Sequence, residues 1–471
     1  MEVVKPNLRN FVKSLRDVGY TFEIAVADIL DNSISAHASN INIFTIAEPE
    51  MIFSILDDGI GMSVDELIEA MRLATKNPED ERTKNDLGRF GLGLKTASFS
   101  QCKILTVVSK KNGVVSARQW DLDYIAENDE WLLITPNPRW VESLPLFNDL
   151  CYQEQGTLVI WHKVDGLSNS NFSDKITKLR QHLSLVFHRF LEGTDRFRKF
   201  TITVNKNPIK AFNPFNISHT ATQQLASEKI KLHASIISIQ PFILPHHSKL
   251  SQQEYEQYAT EEGYTKSQGF YLYRANRLLI HGTWWGLHRA IDAHKLVRIK
   301  IDIPNNQDYY WGIDIKKSTA NPSTEIKMDL KRIIRQITEK GSRPFTGRGK
   351  RIEDKATTRF WELVAINDGL RFALNEKHPL LEKLISELSN ETLELLDLYL
   401  KGLQAYLPLE TIQAHLQQNP HKIVQEAILS VDEVNALAEK LKSSGLEKSY
   451  IERLLKTEIF KNYKGLLIDG E

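Results

Sequence analysis

A glycine-rich run that leads into an expected helix is the first place where this sequence could do chemistry. Residues 86–98 read Asp-Leu-Gly-Arg-Phe-Gly-Leu-Gly-Leu-Lys-Thr-Ala-Ser. Glycines let backbone N–H groups approach an anion without a Cβ in the way, and the N-terminus of the following helix adds partial positive charge. The spacing Gly-x-x-Gly-x-Gly is neither the dinucleotide fingerprint nor the Walker loop, so the run alone fits a phosphate site or a structural turn.

Asp28 and Asn32 form a second candidate set, four residues apart in a segment with helical periodicity. The apolar positions of residues 22–36 recur at helical spacing, which places both side chains on one face, about 5–6 Å apart. Such a pair could serve a ligand. The alternative is the solvated outer face that most amphipathic helices have.

Asp57 is the third candidate, at the end of an expected strand over residues 51–57 and followed by Asp-Gly-Ile-Gly-Met. A carboxylate at a strand end can accept a hydrogen bond from the exocyclic amino group of adenine, and glycines let the base lie against the backbone. The alternative is a plain Asp-Asp-Gly turn.

The three segments occur in a fixed order, at residues 25–36, 55–62 and 86–98. Together they resemble the N, G1 and G2 boxes of the Bergerat-fold ATPases, the GHKL superfamily of gyrase, the heat-shock chaperone, histidine kinases and the MutL proteins. Three ordered boxes are far more specific than any one of them. The resemblance implies an α/β sandwich, with helices on one face of a mixed sheet, that binds ATP and Mg²⁺.

The resemblance also implies a role for each matched residue. Asn32 would carry the metal, because its amide oxygen is a hard neutral ligand that suits Mg²⁺. Asp28 stands where the superfamily usually has a glutamate that activates water. Aspartate is one methylene shorter, so the water must lie closer or be relayed, and we expect slow hydrolysis, with ATP binding without turnover as the alternative. Asp31 is expected to face another side of the helix.

The nucleotide-binding residues implied by the boxes are Asn32, Asp57, Gly59, Gly61, Met62, Gly88, Phe90, Gly91, Leu92, Gly93, Lys95 and Thr96. Residues 75–88 are highly charged, which suits a mobile lid or an ordinary exposed loop. Thr157 follows Gly156 at the start of an expected strand, where the superfamily has a Gly-Thr pair that completes the adenine site. A strand-entry glycine is the alternative.

Strands dominate residues 231–315, and the run 269–280 resembles the transducer domain of MutL, topoisomerase and MORC-like members. In those proteins a lysine from a late loop reaches the γ-phosphate. A strand is expected to end at Ile315, with Lys316 and Lys317 at its tip. Lys317, or Lys316, would then contact the terminal phosphate. A solvated lysine pair is the alternative.

Residues 340–351 carry five positive and no negative side chains. The glycines and the proline of this stretch predict an irregular linker, and its charge could follow a phosphate backbone. The nucleic-acid candidates are Arg343, Arg348, Lys350 and Arg351. A flexible solvated linker is the alternative.

Length suggests about three domains. We expect a GHKL ATP-binding domain over residues 1–199, an α+β transducer-like domain over 200–339, the basic linker over 340–352, and an all-helical region over 353–471. Lys+Arg and Asp+Glu both total 60, so no global charge directs the chain toward nucleic acid or membrane. Two cysteines give no disulfide framework, and neither an apolar signal region nor a run of about 18 apolar residues is present, so we expect a cytoplasmic protein without membrane contact.

The resemblance to MORC-like and MutL-like bacterial ATPases implies a chain that dimerises on ATP. Such clamps act on double-stranded DNA, in repair or restriction-like phage defence, with other subunits. A chaperone-like clamp for protein clients, without DNA contact, is the alternative. The absence of a phosphoacceptor-histidine domain from the sequence argues against a histidine kinase.

Overall fold

The computed structural model describes most of the chain and divides it into two compact units. Unit 1 comprises residues 1–245 and 258–337, and unit 2 comprises residues 246–257 and 338–471. The described residues are 7–73, 93–165, 167, 171–193, 200–232, 235–260, 263–314, 316–350, 357–366, 369–418, 430–443 and 447–460.

A seven-stranded mixed sheet forms the first half of unit 1, with strand order β4-β3-β5-β2-β1-β6-β7. Its strands are β1 (Asn40–Ile46), β2 (Ile52–Asp57), β3 (Cys102–Lys111), β4 (Val114–Asp121), β5 (Gly156–Val164), β6 (Thr201–Val204) and β7 (Asn207–Pro208). β1 and β6 are parallel, whereas the other pairs are antiparallel. The expected mixed sheet is confirmed. The expected domain boundary after residue 199 is wrong, because β6 and β7 extend this first sheet.

Helices cover this sheet on both faces. They are α1 (Leu8–Arg16), α2 (Phe22–Ser35), α3 (Val64–Met71), α4 (Gly93–Gln101), α5 (Leu122–Asn128), α6 (Pro138–Glu142), α7 (Phe147–Tyr152), α8 (Phe172–Val186) and α9 (His188–Glu192). The main core joins α1, α2, α4 and α8 to one face. The short helices α6 and α7 pack on the other face, because alternate residues of β2, β3 and β5 are apolar on that side too.

A second, six-stranded sheet follows in unit 1, with order β12-β11-β13-β10-β8 and β9 paired to β10. Its strands are β8 (Gln223–Gln224), β9 (Glu228–Leu232), β10 (Ser235–Ile243), β11 (Gly269–Arg274), β12 (Arg277–Thr283) and β13 (Val297–Ile303). This region of unit 1 also contains α11 (Gly263–Lys266), the first part of α12 (Thr324–Lys350), and 3-10 helices at Asp292–His294 and Asn305–Gln307. The 3-10 helix His247–Lys249 and most of α10 (Gln252–Ala259) belong to unit 2. Five isoleucine and leucine side chains on the first half of α12 are buried in the core of this sheet.

Two local expectations in this region are wrong. Residues 311–314 form a turn and a short irregular segment rather than the end of a strand, because Trp311 and Ile313 donate their N–H groups to the nearby carbonyls of Gln307 (3.1 Å) and Asp308 (3.2 Å). Ile315 lies outside the described residues. Residues 340–350 continue α12 instead of forming an irregular linker. The packed first half of α12 already supplies the helix nucleus, and adding residues to a formed helix requires no new nucleation.

The two sheets of unit 1 meet through charged and aromatic side chains. Arg189 on α9 pairs with Asp302 on β13 and lies 3.6 Å from the ring centroid of Tyr273. The imidazole Nε2 of His188 lies 2.8 Å from the Tyr273 hydroxyl. The segments expected to be separate domains therefore pack as one body.

Unit 2 is mainly helical, as expected, with one addition. Its helices are α13 (Pro379–Glu387), α14 (Asn390–Ala405), α15 (Leu409–Gln418), α16 (Val431–Ser443) and α17 (Lys448–Leu454). A capping box begins α16, with Ser430 and Glu433 exchanging hydrogen bonds of 2.7 and 3.2 Å. The addition is a hairpin of β14 (Trp361–Ile366) and β15 (Gly369–Leu374). Among the helices that the structure describes, none has the length and apolar character needed to cross a bilayer.

Candidate functional site

Asp28 lies on α2 with its two carboxylate oxygens in different surroundings. Oδ1 accepts a hydrogen bond from Lys317 Nζ at 3.1 Å, and Oδ2 accepts one from the Tyr20 hydroxyl at 3.0 Å. Only 2% of Asp28 is exposed. The carboxylate proposed from sequence is therefore present, but it already binds a lysine from the second sheet's side of unit 1.

Asp31 belongs to the same cluster, which corrects the expectation that it faces elsewhere. Its Oδ2 accepts from Lys317 Nζ at 2.6 Å, and its Oδ1 accepts from Arg277 Nε at 2.7 Å. Arg277 also lies 3.9 Å from Asp28 Oδ1. Residues three apart on a helix are neighbours, so one long cationic side chain can reach both carboxylates.

The charges of this cluster balance, with two carboxylates against one lysine and one arginine. Burial raises the pKa of Asp28, whereas the positive charge of Lys317 lowers it and the negative charge of Asp31 raises it further. Because all four side chains are at most 9% exposed, loss of one partner would leave a buried charge uncompensated. Lys317 and the two aspartates therefore depend on one another.

The loop that carries Lys317 is held in a constrained conformation. Lys317 has φ 54°, which is uncommon for a residue with a side chain. Its N–H donates to the Asp314 carbonyl, and the Asp314 carboxylate accepts from the N–H groups of Ser318 and Thr319 at 2.8 and 3.0 Å. Lys316 Nζ instead donates to the Gly19 carbonyl at 3.3 Å. Of the two lysines, Lys317 is the one that contacts the acidic residues of α2.

Asp57 is fixed at the end of β2 by two donors. Its Oδ2 accepts from the Ser33 hydroxyl at 2.7 Å and its Oδ1 from the Gly59 N–H at 2.9 Å. Burial raises the pKa of Asp57 to about 6, against the lowering effect of the Ser33 and Gly59 hydrogen bonds. The side chain is thus oriented by α2 and by the loop that follows β2.

A serine on β3 joins two of the expected adenine-site residues, Met62 and Thr157. Thr157 is paired with Asp57 in the β2–β5 register. The Ser109 hydroxyl lies 3.0 Å from the Thr157 hydroxyl, donates to the Gly156 carbonyl at 3.0 Å, and accepts from the Met62 N–H at 2.9 Å. Asp57, Met62 and Thr157 therefore border one region.

Two glycines after β2 are required by close packing. A Cβ on Gly61, where φ is 63°, would lie 2.1 Å from the Lys110 carbonyl oxygen. A Cβ on Gly59 would lie 2.9 Å from both Ala36 Cβ and Asp57 Oδ1. Larger residues would displace this loop from α2 and β3.

The start of α4 faces Asp28. A Cβ on Gly93 would lie 3.9 Å from Asp28 Oδ2. Lys95 Nζ donates to the Ala70 carbonyl at 2.9 Å, and burial lowers the pKa of Lys95 to about 8. The Thr96 side chain hydrogen-bonds to Tyr20. The candidates Gly88, Phe90, Gly91 and Leu92, together with the expected lid 75–88, lie outside the described residues.

Asn32 is exposed on α2, between the buried Asp31 and Ser33. Within the described part of the chain, its side-chain amide makes no hydrogen bond, so its oxygen is available to a metal. This arrangement fits a magnesium ion that takes one protein oxygen and completes its shell with phosphates and water.

Sequence reasoning missed Tyr20, Arg277, Ser33 and Ser109, and it misjudged Asp31. Asp31 could have been found from its three-residue spacing to Asp28. Ser109 becomes visible only when β3 is aligned with β5, and Arg277 only when the second sheet is placed against α2. Of the nucleic-acid candidates, Arg343, Arg348 and Lys350 lie on α12, and Arg351 lies outside the described residues.

The first part of unit 1 is similar to known proteins. Residues 20–157 match the family described as histidine kinase-, DNA gyrase B- and HSP90-like ATPases. ATPase morc-1 of Caenorhabditis elegans is 30% identical over 118 residues, which are 25% of this chain. The matched part spans only 13% of the length of that relative. The family match contains Asp28, Asp57 and Thr157 and ends before Arg277 and Lys317.

Proposed function

Because residues 20–157 match the family of histidine kinase-, DNA gyrase B- and HSP90-like ATPases, and 118 residues of the chain are similar to a MORC ATPase, we propose that this chain binds Mg²⁺–ATP and hydrolyses it slowly in an ATP-gated dimeric clamp. The observation that carries the proposal is the buried Asp28 carboxylate, which faces the start of α4 and is bound by Lys317. A carboxylate that can act as a general base, a helix N-terminus for phosphate and the Lys317 cation meet at this point.

In this proposal Asp57 accepts a hydrogen bond from the adenine amino group. Support comes from its burial and from the two donors, Ser33 and Gly59, which fix its orientation before a ligand arrives. Thr157 and Met62 border the same region through Ser109. A fixed acceptor in a buried site discriminates strongly, because a base without the amino group leaves it unpaired.

Asp28 is the final acceptor of the proton that leaves the water as it attacks the γ-phosphorus. While Lys317 and Arg277 lie beside Asp28, the carboxylate is a weaker base, so Lys317 must move toward the γ-phosphate as the reaction proceeds. ATP supplies that differential contact and ADP does not. The shorter aspartate and the competing ion pair both favour slow turnover.

Asn32 holds Mg²⁺ through its amide oxygen. The ion, when bound, neutralises charge on the phosphates and orients them. Lys95 and Thr96 lie on α4, which carries the rest of the phosphate site, together with the glycines of residues 88–93.

The proposed clamp depends on the position of Lys317, which follows the second sheet in the chain but contacts Asp28 and Asp31 on α2. ATP bound to the first sheet's domain would exchange the Lys317 contacts and so change how the second sheet's region is held. Two chains then meet, and their basic stretches, residues 340–351, enclose double-stranded DNA in repair or phage defence. Five positive residues without a negative one favour DNA over a protein client.

Light scattering and DNA binding test the clamp. We expect the mass to double with a non-hydrolysable ATP analogue and to stay unchanged with ADP. Replacement of the four candidates Arg343, Arg348, Lys350 and Arg351 by glutamine should weaken duplex binding and reduce the slope of log affinity against log salt by up to about 3–4, with ATP affinity retained.

The matched control removes four exposed lysines elsewhere, Lys13, Lys178, Lys206 and Lys210, and so keeps the same net charge. The control should bind DNA as the parent does. A monomer in every nucleotide state would contradict the clamp. An unchanged salt slope in the first variant would favour a protein client.

A further inference from the structure

Tyr20 is a buried side chain that contacts the proposed base directly. It lies between α1 and α2, is 9% exposed, and donates its hydroxyl proton to Asp28 Oδ2 at 3.0 Å. Its backbone carbonyl accepts from Gln101 Nε2 at 3.2 Å, which ties it to the end of α4. Tyr20 is therefore anchored to both helices of the site.

The two oxygens of Asp28 differ in their ability to take a proton. Oδ1 is bound by Lys317, and Arg277 lies 3.9 Å away, so positive charge disfavours its protonation. Oδ2 faces Gly93 at the start of α4 and is bound by a neutral hydroxyl. A proton that reaches Asp28 therefore goes to Oδ2, where the Tyr20 hydroxyl lies.

The Tyr20 hydroxyl has the capacity to pass a proton on. A phenol oxygen can donate one hydrogen bond and accept others. Burial and the negative charge of Asp28 both raise the pKa of Tyr20, which keeps the phenol protonated. The hydroxyl also hydrogen-bonds to Thr96 on α4, on the expected phosphate side of the site.

We propose that the Tyr20 hydroxyl relays the proton from the attacking water to Asp28 and thereby spans the distance that the missing methylene of a glutamate would cover. This inference rests on the proposed ATPase function. Tyr20 is then a catalytic residue, because it contacts the reacting water.

The proposed step moves two protons and exchanges one bond at the γ-phosphorus. The water gives one proton to the Tyr20 oxygen while the Tyr20 proton passes to Asp28 Oδ2. The water oxygen bonds to the γ-phosphorus, the bond from phosphorus to the β–γ bridging oxygen breaks, and ADP leaves with the electron pair. Solvent then takes the proton from Asp28.

Four proteins test the relay: the parent, Tyr20→Phe, Asp28→Glu and the double variant. Phenylalanine keeps the buried ring and removes only the hydroxyl. We expect Tyr20→Phe to lower the single-turnover hydrolysis rate on the order of 10–100-fold, less than the full loss of a general base, with ATP affinity by calorimetry unchanged. In the double variant the longer glutamate reaches the water directly, so its rate should equal that of Asp28→Glu.

A second readout is the dependence of the rate on the fraction of D₂O. Two protons move together in a relay, so the parent should give a curved plot and the double variant a straight one. The matched control is Tyr271→Phe, which removes another buried hydroxyl, on β11 of the second sheet and bonded to the Ser267 carbonyl at 2.8 Å. This control should hydrolyse ATP at the parent rate.

Each outcome decides between named alternatives. A Tyr20→Phe rate equal to that of the parent would overturn the relay and leave the ATPase function intact. A slow Tyr20→Phe that Asp28→Glu fails to restore would assign Tyr20 a packing role instead. A parent that binds ATP without hydrolysing it also overturns the relay, and a parent that binds no ATP overturns the proposed function with it.

Discussion

Replacement of Asp57 by asparagine should remove one pH dependence of the free energy of unfolding. Burial raises the pKa of Asp57 from 3.8 to about 6, so the folded protein holds this proton more tightly than the unfolded chain does. The stability that the neutral carboxyl contributes is fully present below about pH 4 and is lost as the pH rises through about 6. A difference of about two pKa units corresponds to roughly 3 kcal/mol. Asparagine has nearly the same shape and no titration.

Urea unfolding of the parent and of Asp57→Asn across this pH range measures the effect. The unfolding free energy of the variant minus that of the parent should increase by roughly 3 kcal/mol between about pH 4 and about pH 7. The subtraction cancels the titration of groups that both proteins share. A difference that stays constant with pH would refute the reasoning that burial governs Asp57.

The same substitution should weaken ATP binding. Loss of the carboxylate leaves the adenine amino group with a poorer acceptor in a buried site, which costs about 1–3 kcal/mol, or roughly 5- to 150-fold in affinity. The Asp57 carboxylate would then lower the stability of the folded protein at neutral pH and raise its affinity for ATP. Unchanged affinity in a folded variant would remove Asp57 from the site.

Two further predictions concern α2 and its partners. Asp28→Ala should bind ATP and hydrolyse it about 10²–10⁴-fold more slowly, whereas Asn32→Ala should lose both binding and hydrolysis because it loses the metal. Calorimetry measures the binding and phosphate release measures the hydrolysis. An Asp28→Ala variant that hydrolyses ATP at the parent rate would show that another group is the base. Lys317→Met should lower the free energy of urea unfolding by roughly 3–5 kcal/mol, because it leaves two buried carboxylates with one arginine. The double variant with Asp28→Asn should recover part of that loss. An unchanged free energy of unfolding in Lys317→Met would mean that the buried cluster is solvated.

The helix and the strand that carry the site, α2 and β2, could be predicted from the local sequence pattern. Residues 22–36 have helical periodicity and residues 51–57 alternate, so α2 and β2 were predicted close to their observed bounds. Asp28, Asn32 and Asp57 followed from those two elements. Helical and strand patterns depend on residues a few positions apart, so the sequence alone displays them.

The contacts that join distant segments were not readable. Arg277 and Lys317 meet Asp31 across 246 and 286 positions, and no local periodicity specifies such pairs. A turn and a short irregular segment at residues 311–314 replaced an expected strand, because their backbone groups find partners nearby. The hairpin at residues 361–374 did have a local signal, an Asn-Asp-Gly run between two apolar stretches, which the helical reading of this region passed over.

A calorimetric titration of Mg²⁺–ATP into the full chain tests whether this protein has an ATP site. We expect one saturable site per chain, with binding lost or strongly reduced when magnesium is chelated. A titration without saturable heat, on protein whose folding is verified by cooperative unfolding, would contradict the assignment of Asp28, Asn32 and Asp57 to an ATP site.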